Sequence, residues 1–448
     1  MAEKPAFSRR TMLSLTAAGL VGSGTAIAAQ SSDDATVTEY DTDASVDVDN
    51  TSWPMPNHDG GRTKYNPNAS VPTGTLSPRW KHSGSIGVPT VSNGVAYYTR
   101  GRVPDDVPPE EVTRTLHAID VDSWDSLWET ELGTPDEWHS HRLAVADDVV
   151  YASQRSHTQA FDATDGSELW SADTGGYGPV VTDESLVVHG GQIERHWSDD
   201  LVVLSRDDGS VRWRMDSVAK PVVVNGSVFV LKSGEDDSGI YSLDVETGET
   251  QWKRELSAVV SVATESELYV DQDNVLLALD PETGETKWQY NFTEVIEPPN
   301  SNEWGWEITV HVADEERVYV DCSGDFFALN ATTGEKVWRN DEVDALRLVG
   351  TSDGLYHIVD EGWRDDKPGC LIRRDKETGE SITKQKIVVS QAPVNSEQFI
   401  ITDGRVYTTI GRFDSRGTVA LVGDENGGDD GSDDDSDDSD DSDDNDDC

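Results

Sequence analysis

Short apolar runs alternate with polar turns along most of the chain. Leu276-Leu277-Ala278-Leu279 is typical, because it ends directly at Asp280 and a turn-forming segment follows. Apolar runs of about four to eight residues bounded by turn residues are typical of β-strands, whereas helices need longer periodic segments. The pattern therefore predicts an all-β protein.

One unit recurs and ends in a tryptophan. Its clearest copies, 243–252 and 279–288, both read L-D-x-x-T-G-x-x-x-W. The acid and threonine side chains bond nearby amides and glycine adopts positive φ, so the motif predicts a tight turn between antiparallel strands. Calcium coordination by these turns is a weaker alternative, since the oxygen ligands are few and differently spaced from an EF-hand. The tryptophan falls on the next strand, where it buries apolar surface between adjacent sheets.

Upstream of each D-x-x-T-G turn lies another short strand, often introduced by a glycine or polar turn. Examples are Asn93-Gly94, Asn225-Gly226 and Asp403-Gly404, each flanked by short apolar runs. Strand, N/D-G turn, strand, strand, D-x-x-T-G turn and tryptophan strand make four strands per unit, which is one propeller blade.

The tryptophan spacing predicts the number of blades. Seven complete units end at the Thr383 position, with steps of 36 to 50 residues. An outer-strand fragment around Trp80 and inner strands at 398–422 remain, and together they complete an eighth blade. We therefore predict an eight-bladed β-propeller of four-stranded antiparallel blades, closed by pairing of its N- and C-terminal strands, which removes exposed edges. The predicted blade-docking residues are Trp80, Trp128, Trp170, Trp213, Trp252, Trp288 and Trp338.

At these residues the sequence resembles the pyrroloquinoline-quinone (PQQ)-like β-propeller repeat family, whose units carry an A-x-D-x-x-T-G-x-x-x-W signature. The resemblance covers about residues 76–423, and 53–67 is similar to the N-terminal lead-in of many members. It implies the propeller fold. Activity stays open, because the family includes both quinone-dependent dehydrogenases and non-catalytic outer-membrane assembly factors.

The chain divides into four segments by composition. Residues 1–29 carry Arg9-Arg10 before an uncharged apolar stretch and resemble a twin-arginine export signal, with a retained membrane-anchoring helix as the alternative. Residues 30–75 form an acidic spacer and lead-in, 76–423 the propeller, and 424–448 an Asp/Ser-rich tail expected to be disordered. No later segment is long enough and apolar enough to span a bilayer. We expect an extracytoplasmic protein, secreted or associated with the cell surface.

The charge is strongly acidic throughout. There are 87 acidic and 35 basic residues, a net charge of -52, and the tail from Asp424 supplies only 15 of the acids. Molar salt screens such a surface, so a halophilic host is expected. Nucleic acid and anionic lipid need a cationic face and are set aside as partners. The tail is expected to improve solubility, with diffuse calcium binding or envelope attachment as alternatives.

Three cysteines are too few for a disulfide framework. Cys322 and Cys370 are expected to be buried thiols, with a bond between neighbouring blades as the less favoured alternative. Cys448 either forms an intermolecular disulfide or is incidental.

No catalytic residue is predicted, since no hydrolase or phosphate-loop motif occurs. The sequence also lacks the pair of adjacent cysteines that many quinone dehydrogenases of the family have. A metal ligated by His139 and His141 lacks a third ligand. Aromatic and histidine residues instead collect on loops opposite the T-G turns and are candidate binding residues, although they also suit capping of the sheets. They are Trp138, His139, His141, His196, Trp197, Trp304, Trp306 and Trp363.

These observations favour a non-catalytic, monomeric propeller that binds an unidentified protein or envelope component and needs no cofactor. The first alternative is a PQQ- and calcium-dependent dehydrogenase. The second is a surface carbohydrate-binding or adhesion module that uses the exposed tryptophans.

Overall fold

The structure is a computed structural model. It describes residues 52–83, 87–101, 114–132, 142–154, 157–190, 192–193, 196–197, 200–216, 221–232, 237–256, 258–272, 274–296, 308–340, 347–359, 369–388, 394–402, 404–410 and 417–423. All of them belong to one compact unit of the chain.

The described residues form β-sheets joined by turns, as the short apolar runs predict. The first two strands are β1 (Tyr65–Asn66) and β2 (Leu76–Ser83). Six four-stranded antiparallel sheets follow, each named here after the tryptophan on its fourth strand. The Trp128 sheet contains β3 (Thr90–Ser92), β4 (Val95–Arg100), β5 (Arg114–Asp120) and β6 (Ser126–Leu132). The Trp170 sheet contains β7 (Arg142–Ala146), β8 (Val149–Gln154), β9 (His157–Asp162) and β10 (Glu168–Ala172).

The next sheets repeat this order. The Trp213 sheet contains β11 (Tyr177–Val181), β12 (Ser185–His189), β15 (Leu201–Ser205) and β16 (Val211–Met215), with the small hairpin β13 (Gln192–Ile193) and β14 (His196–Trp197) inserted between its second and third strands. The Trp252 sheet contains β17 (Val222–Val224), β18 (Ser227–Lys232), β19 (Gly239–Asp244) and β20 (Thr250–Arg254). The Trp288 sheet contains β21 (Val259–Ala263), β22 (Leu268–Gln272), β23 (Val275–Leu279) and β24 (Thr286–Asn291), followed by a 3-10 turn at Phe292–Glu294. The Trp338 sheet contains β25 (Ile308–Ala313), β26 (Arg317–Cys322), β27 (Asp325–Asn330) and β28 (Lys336–Asn340).

The remaining strands form one nine-stranded sheet with mixed pairing, which the sequence did not lead us to expect. It contains β1 and β2 together with β29 (Val349–Thr351), β30 (Leu355–Val359), β31 (Gly369–Arg374), β32 (Ser381–Ile387), β33 (Val394–Thr402), β34 (Arg405–Ile410) and β35 (Gly417–Gly423). Two antiparallel groups of four make up most of it. We call β29 to β32 the Thr383 quartet, and β33, β34, β35 and β2 the Trp80 quartet.

Parallel pairs join these groups. Leu76 of β2 pairs with Ile387 of β32, and Tyr65 of β1 pairs with Gly350 of β29. Within the Trp80 quartet the N-terminal strand β2 runs antiparallel to the C-terminal strand β35 over its whole length. The predicted pairing of the N- and C-terminal strands is therefore present, but inside a larger mixed sheet rather than a separate blade.

The D-x-x-T-G turns have the predicted geometry. In the turn after β23, the Asp280 carboxylate accepts hydrogen bonds from the amides of Glu282 at 3.0 Å and Thr283 at 2.9 Å. Gly284 takes φ +70°, in the left-handed region that favours glycine.

Each repeat tryptophan docks on the turn of the following sheet. The Trp252 indole Nε1 donates to the Pro281 carbonyl at 2.8 Å, and the added Cβ of an alanine at Gly284 would lie 2.8 Å from Trp252 Cε3. The glycine is therefore needed twice, for its φ and for the close approach of the indole. The other five donor and acceptor pairs are Trp128 to Ala163, Trp170 to Arg206, Trp213 to Val245, Trp288 to Ala331 and Trp338 to Lys376, at 2.6 to 2.9 Å.

The two exceptions to this pattern have a structural cause. Trp124 occupies the glycine place of the first turn at φ +64°, and its ring stacks on Trp80 with centroids 6.1 Å apart. Thr383 replaces a tryptophan because the neighbouring Trp80 quartet has no third-to-fourth-strand turn: its third strand is β35 and its fourth is the N-terminal β2. A tryptophan at 383 would have no turn glycine to meet.

The cysteine prediction was half correct. Cys322 is a buried free thiol, packed in a cluster with Trp288 and Phe327, and burial raises its pKa to about 12. Cys370 is buried but disulfide-bonded, so the expectation of a thiol there was wrong. Because Cys322 is free, the alternative bond between the two was wrong as well.

No helix among the described residues is long and apolar enough to cross a membrane.

The close approach at the turn glycine predicts a matched pair of stability effects. Gly284→Ala and Gly226→Ala both place a Cβ at positive φ, but the Cβ at 226 meets nothing within 4 Å. We expect Gly226→Ala to lower the free energy of unfolding by about 1 kcal/mol. Gly284→Ala should lower it by about 3 kcal/mol, because the indole must also move. Denaturant unfolding in molar salt measures both, and equal losses would contradict the docking role of the glycine.

Candidate functional site

The chain connections that carry the predicted binding residues begin and end at one edge of the sheets. First and third strands run opposite to second and fourth strands, so second strands and fourth strands end at the same edge. We call this the loop-side edge, and the opposite edge, which carries the T-G turns, the turn-side edge. The connection after β6 carries Trp138, His139 and His141, the one after the 3-10 turn carries Trp304 and Trp306, and the one after β30 carries Trp363; all six residues lie outside the described part of the chain.

Only the hairpin in the Trp213 sheet falls within the described backbone. His196 pairs with Ile193 and Trp197 with Gln192 in its two short strands. The hairpin leaves and rejoins the sheet at the loop-side edge, between β12 and β15. The binding role of all eight residues stays a prediction.

The lead-in residues 53–70, by contrast, are described and lie along the first strands of several sheets. First strands of successive sheets adjoin one another, for example β3 with β7 and β21 with β25. Trp53 pairs with Val91 of β3 through two backbone hydrogen bonds, and further along the lead-in Ser70 accepts from Gly404 beside β33. The intervening donors to lead-in carbonyls are Val145, Val223, Ala263, Ala313 and Gly350.

The contacts place the lead-in near the turn-side edge. Ala263 and Ala313 are the last residues of their first strands, and their amides donate to Gly61 at 2.9 Å and Thr63 at 3.2 Å. A Cβ on Gly61 would lie 2.1 Å from the Ala263 carbonyl oxygen, so only glycine fits there. Sequence reasoning recognised this segment by resemblance but missed its structural role. The signal was Gly60-Gly61, which permits backbone contact with two neighbouring sheets.

Polar side chains of the lead-in are enclosed. The His58 imidazole is buried against the edge of the Trp53 ring, with centroids 5.0 Å apart. Arg62 has φ +64°, and burial lowers the pKa of its guanidinium. Asp59 accepts a hydrogen bond from the Thr63 amide at 2.9 Å. This bond stabilises the turn 59–63, which contains Arg62 and directly follows His58.

Two further histidines, His311 and His357, are buried. His311 lies on β25, where burial first, and then the charges of Lys64 and Arg347, lower its pKa to about 3. His357 lies on β30 and accepts a hydrogen bond at Nε2 from Arg374 Nε at 3.1 Å. Burial and the nearby guanidinium lower the pKa of His357 to about 3. Both imidazoles are therefore neutral over most of the pH range in which the protein is handled.

Among the described residues no group of three or more His, Cys, Asp or Glu side chains is arranged to hold a metal ion. We derive no reaction step through calcium or a quinone.

The repeat geometry agrees with a comparison against family models. The model for the outer membrane protein assembly factor BamB matches residues 69–290 and 155–385, which together span more than half of the chain. The chain belongs to this PQQ-like repeat β-propeller family. A search of curated proteins found no match.

Solved structures show the same fold in proteins of different activity. Quinohemoprotein alcohol dehydrogenase from Comamonas testosteroni superimposes with a TM-score of 0.56 at 14% identity, covering 83% of this chain and 80% of that one. BamB from Moraxella catarrhalis gives 0.51 at 16% identity, covering 78% and 98%. The quinohemoprotein alcohol dehydrogenase ADHIIG from Pseudomonas putida HK5 gives 0.57 at 12% identity, covering 83% and 80%. At these identities the likeness concerns the PQQ-like fold alone.

The low pKa of His357 predicts a defined loss of stability in acid. Between pH 6.5 and about 3 the unfolded chain binds a proton at this histidine and the folded protein does not. The free energy of unfolding therefore falls with decreasing pH, by up to about 1.4 kcal/mol per unit from this group. His357→Gln keeps an acceptor for Arg374 and should remove that part of the slope. Unfolding measured at a series of pH values tests this, and an unchanged slope would show that His357 protonates normally.

Proposed function

We propose that the protein is a non-catalytic, exported scaffold or binding protein of the cell envelope, built on an eight-bladed ring. The blade count is supported by six four-stranded sheets and by the two antiparallel quartets of the nine-stranded sheet. Closure is supported by contacts between the Trp80 quartet and the Trp128 sheet. Arg405 of β34 forms an ion pair with Asp122, and its guanidinium lies 5.9 Å from the Trp124 ring centroid.

One observation carries the binding role: among the described residues, the lead-in bonds near the turn-side edge to five of the six four-stranded sheets and to both quartets. Its carbonyls are used by the scaffold itself, and the turn glycines and tryptophans are used in docking between sheets. The loop-side edge is where the connections with unusual aromatic and histidine residues begin and end. A rigid ring that presents such loops on one side is suited to hold a partner.

The partner is expected outside the cytoplasm. The twin-arginine pair at Arg9-Arg10 supports export of a folded protein, and a net charge of -52 supports a saline environment. We expect a protein or other envelope component as the ligand, bound by one monomeric propeller. No cofactor is needed for this role.

Thermal melting of the exported form in molar salt separates this proposal from the dehydrogenase. We expect calcium and PQQ together to shift the melting temperature no more than calcium alone. A ligand present at 100 times its Kd stabilises by about 2.7 kcal/mol, so true cofactor binding gives a clear shift. A joint shift of that size would contradict the proposal and favour the enzyme.

Capture from envelope extracts tests the loop-side face. We expect the parent protein to retain a specific protein partner, and Trp304→Ala/Trp306→Ala to lose most of it, because buried aromatic anchors dominate interface energies. Val337→Ala is the control, since Val337 is 41% exposed on an outer strand away from the loops. Retention of envelope polysaccharide instead would favour the adhesion module, and equal capture by all three proteins would remove the predicted face.

A further inference from the structure

A basic surface stands out in this acidic protein. It comprises the exposed cations Arg79 and Lys81 on β2, and Lys384 and Lys386 on β32. The sequence has no acidic residue from 60 to 104 or from 381 to 396, so both outer strands lack acids entirely. We call these four side chains the basic strip.

The basic strip is unneutralised within the described residues. None of its four cations forms an ion pair there, whereas Lys232, Lys253, Lys287 and Lys376 all do. In a protein with 87 acidic and 35 basic residues, four exposed cations on two paired outer strands without a carboxylate partner are unexpected. The strip is therefore complementary to an acidic occupant.

The most acidic segment of the chain starts beside this surface. Gly423, the last described residue, pairs with Leu76, and Leu76 pairs in turn with Ile387 of β32. Paired Cα atoms are about 5 Å apart, so Gly423 lies roughly 10 Å from Ile387, which follows Lys386 of the strip. The 25 residues that follow hold 15 acids and no base. They can extend to roughly 80 Å, far more than is needed to run along the strip.

A second observation points to the same place. Cys370 of β31 is disulfide-bonded, and its register partner on β32 is Lys386 of the basic strip. Cys322 is a free thiol, and the sequence holds three cysteines, of which the third is Cys448 in the acidic segment.

We propose that the acidic segment 424–448 binds back along the basic strip of β2 and β32, and that a disulfide between Cys370 and Cys448 fastens it there. Oxidation of the two thiols forms the S–S bond and releases two protons and two electrons, which a disulfide such as oxidised glutathione accepts. The segment then covers the four exposed cations of the basic strip. Because long loops close at a modest entropic cost, a few ion pairs suffice to bias the segment towards this site.

Peptide mapping under non-reducing conditions tests the bond. Free thiols are alkylated, the protein is digested with trypsin, and linked peptides are identified by mass spectrometry. We expect the peptide containing Cys370 to be linked to peptide 417–448, which follows Arg416. Cys370 recovered as an alkylated thiol, linked to Cys322, or linked to a second chain would overturn the proposal.

The contribution of the four cations is tested by measuring disulfide closure in a glutathione redox buffer. The salt concentration is the lowest at which circular dichroism shows the protein to be folded. We expect Lys384→Glu/Lys386→Glu to lower the equilibrium constant for closing the disulfide by roughly tenfold, and the difference to shrink in molar salt. Lys336→Glu is the control, an exposed lysine on the outer strand β28 of the Trp338 sheet, and should behave as the parent. Closure as favourable in the double variant as in the parent would show that the strip does not bind the segment.

Discussion

The contact between an indole and the turn of the next sheet determines this architecture. Six tryptophans each donate an N–H to a carbonyl beside a turn glycine of the following sheet. Most also pack on an aromatic ring in the second strand of their own sheet, as Trp288 does on Tyr269. Each indole thus buries a large apolar surface and satisfies its one polar group. Because neighbouring sheets share this contact, each sheet depends on the next, and only a closed arrangement supplies every sheet with two neighbours.

The lead-in adds a second set of connections that no single sheet can provide. It bonds to residues from the Trp128 sheet to the Trp80 quartet, so a segment of fewer than 20 residues, 53–70, contacts positions as far apart in sequence as Val91 and Gly404. Its backbone bonds lie near the turn-side edge of the sheets. The chain connections that carry the predicted binding residues begin and end at the opposite, loop-side edge. The proposed function rests on this asymmetry and on the PQQ-like family, whose solved structures include both BamB and dehydrogenases.

The repeat made the fold predictable, because each local feature had one physical explanation. Asp280, Thr283 and Gly284 specified a turn, and Trp288 specified contact between sheets. Long-range features were less accessible. The bonds of Gly61 to the Trp288 sheet, the parallel pair of Leu76 with Ile387, and the disulfide at Cys370 depend on which distant strands become neighbours. The binding residues were proposed from residue type and loop position alone, and six of them lie outside the described residues.

Hydrogen exchange of the tryptophan indole N–H groups, followed by NMR and assigned with single Trp→Phe variants, tests the central contact most directly. If the six indoles dock as described, their N–H protons exchange slowly and at similar rates, because each must await opening of the shared arrangement. Independent exchange of these six protons, at rates typical of exposed indoles, would contradict the account.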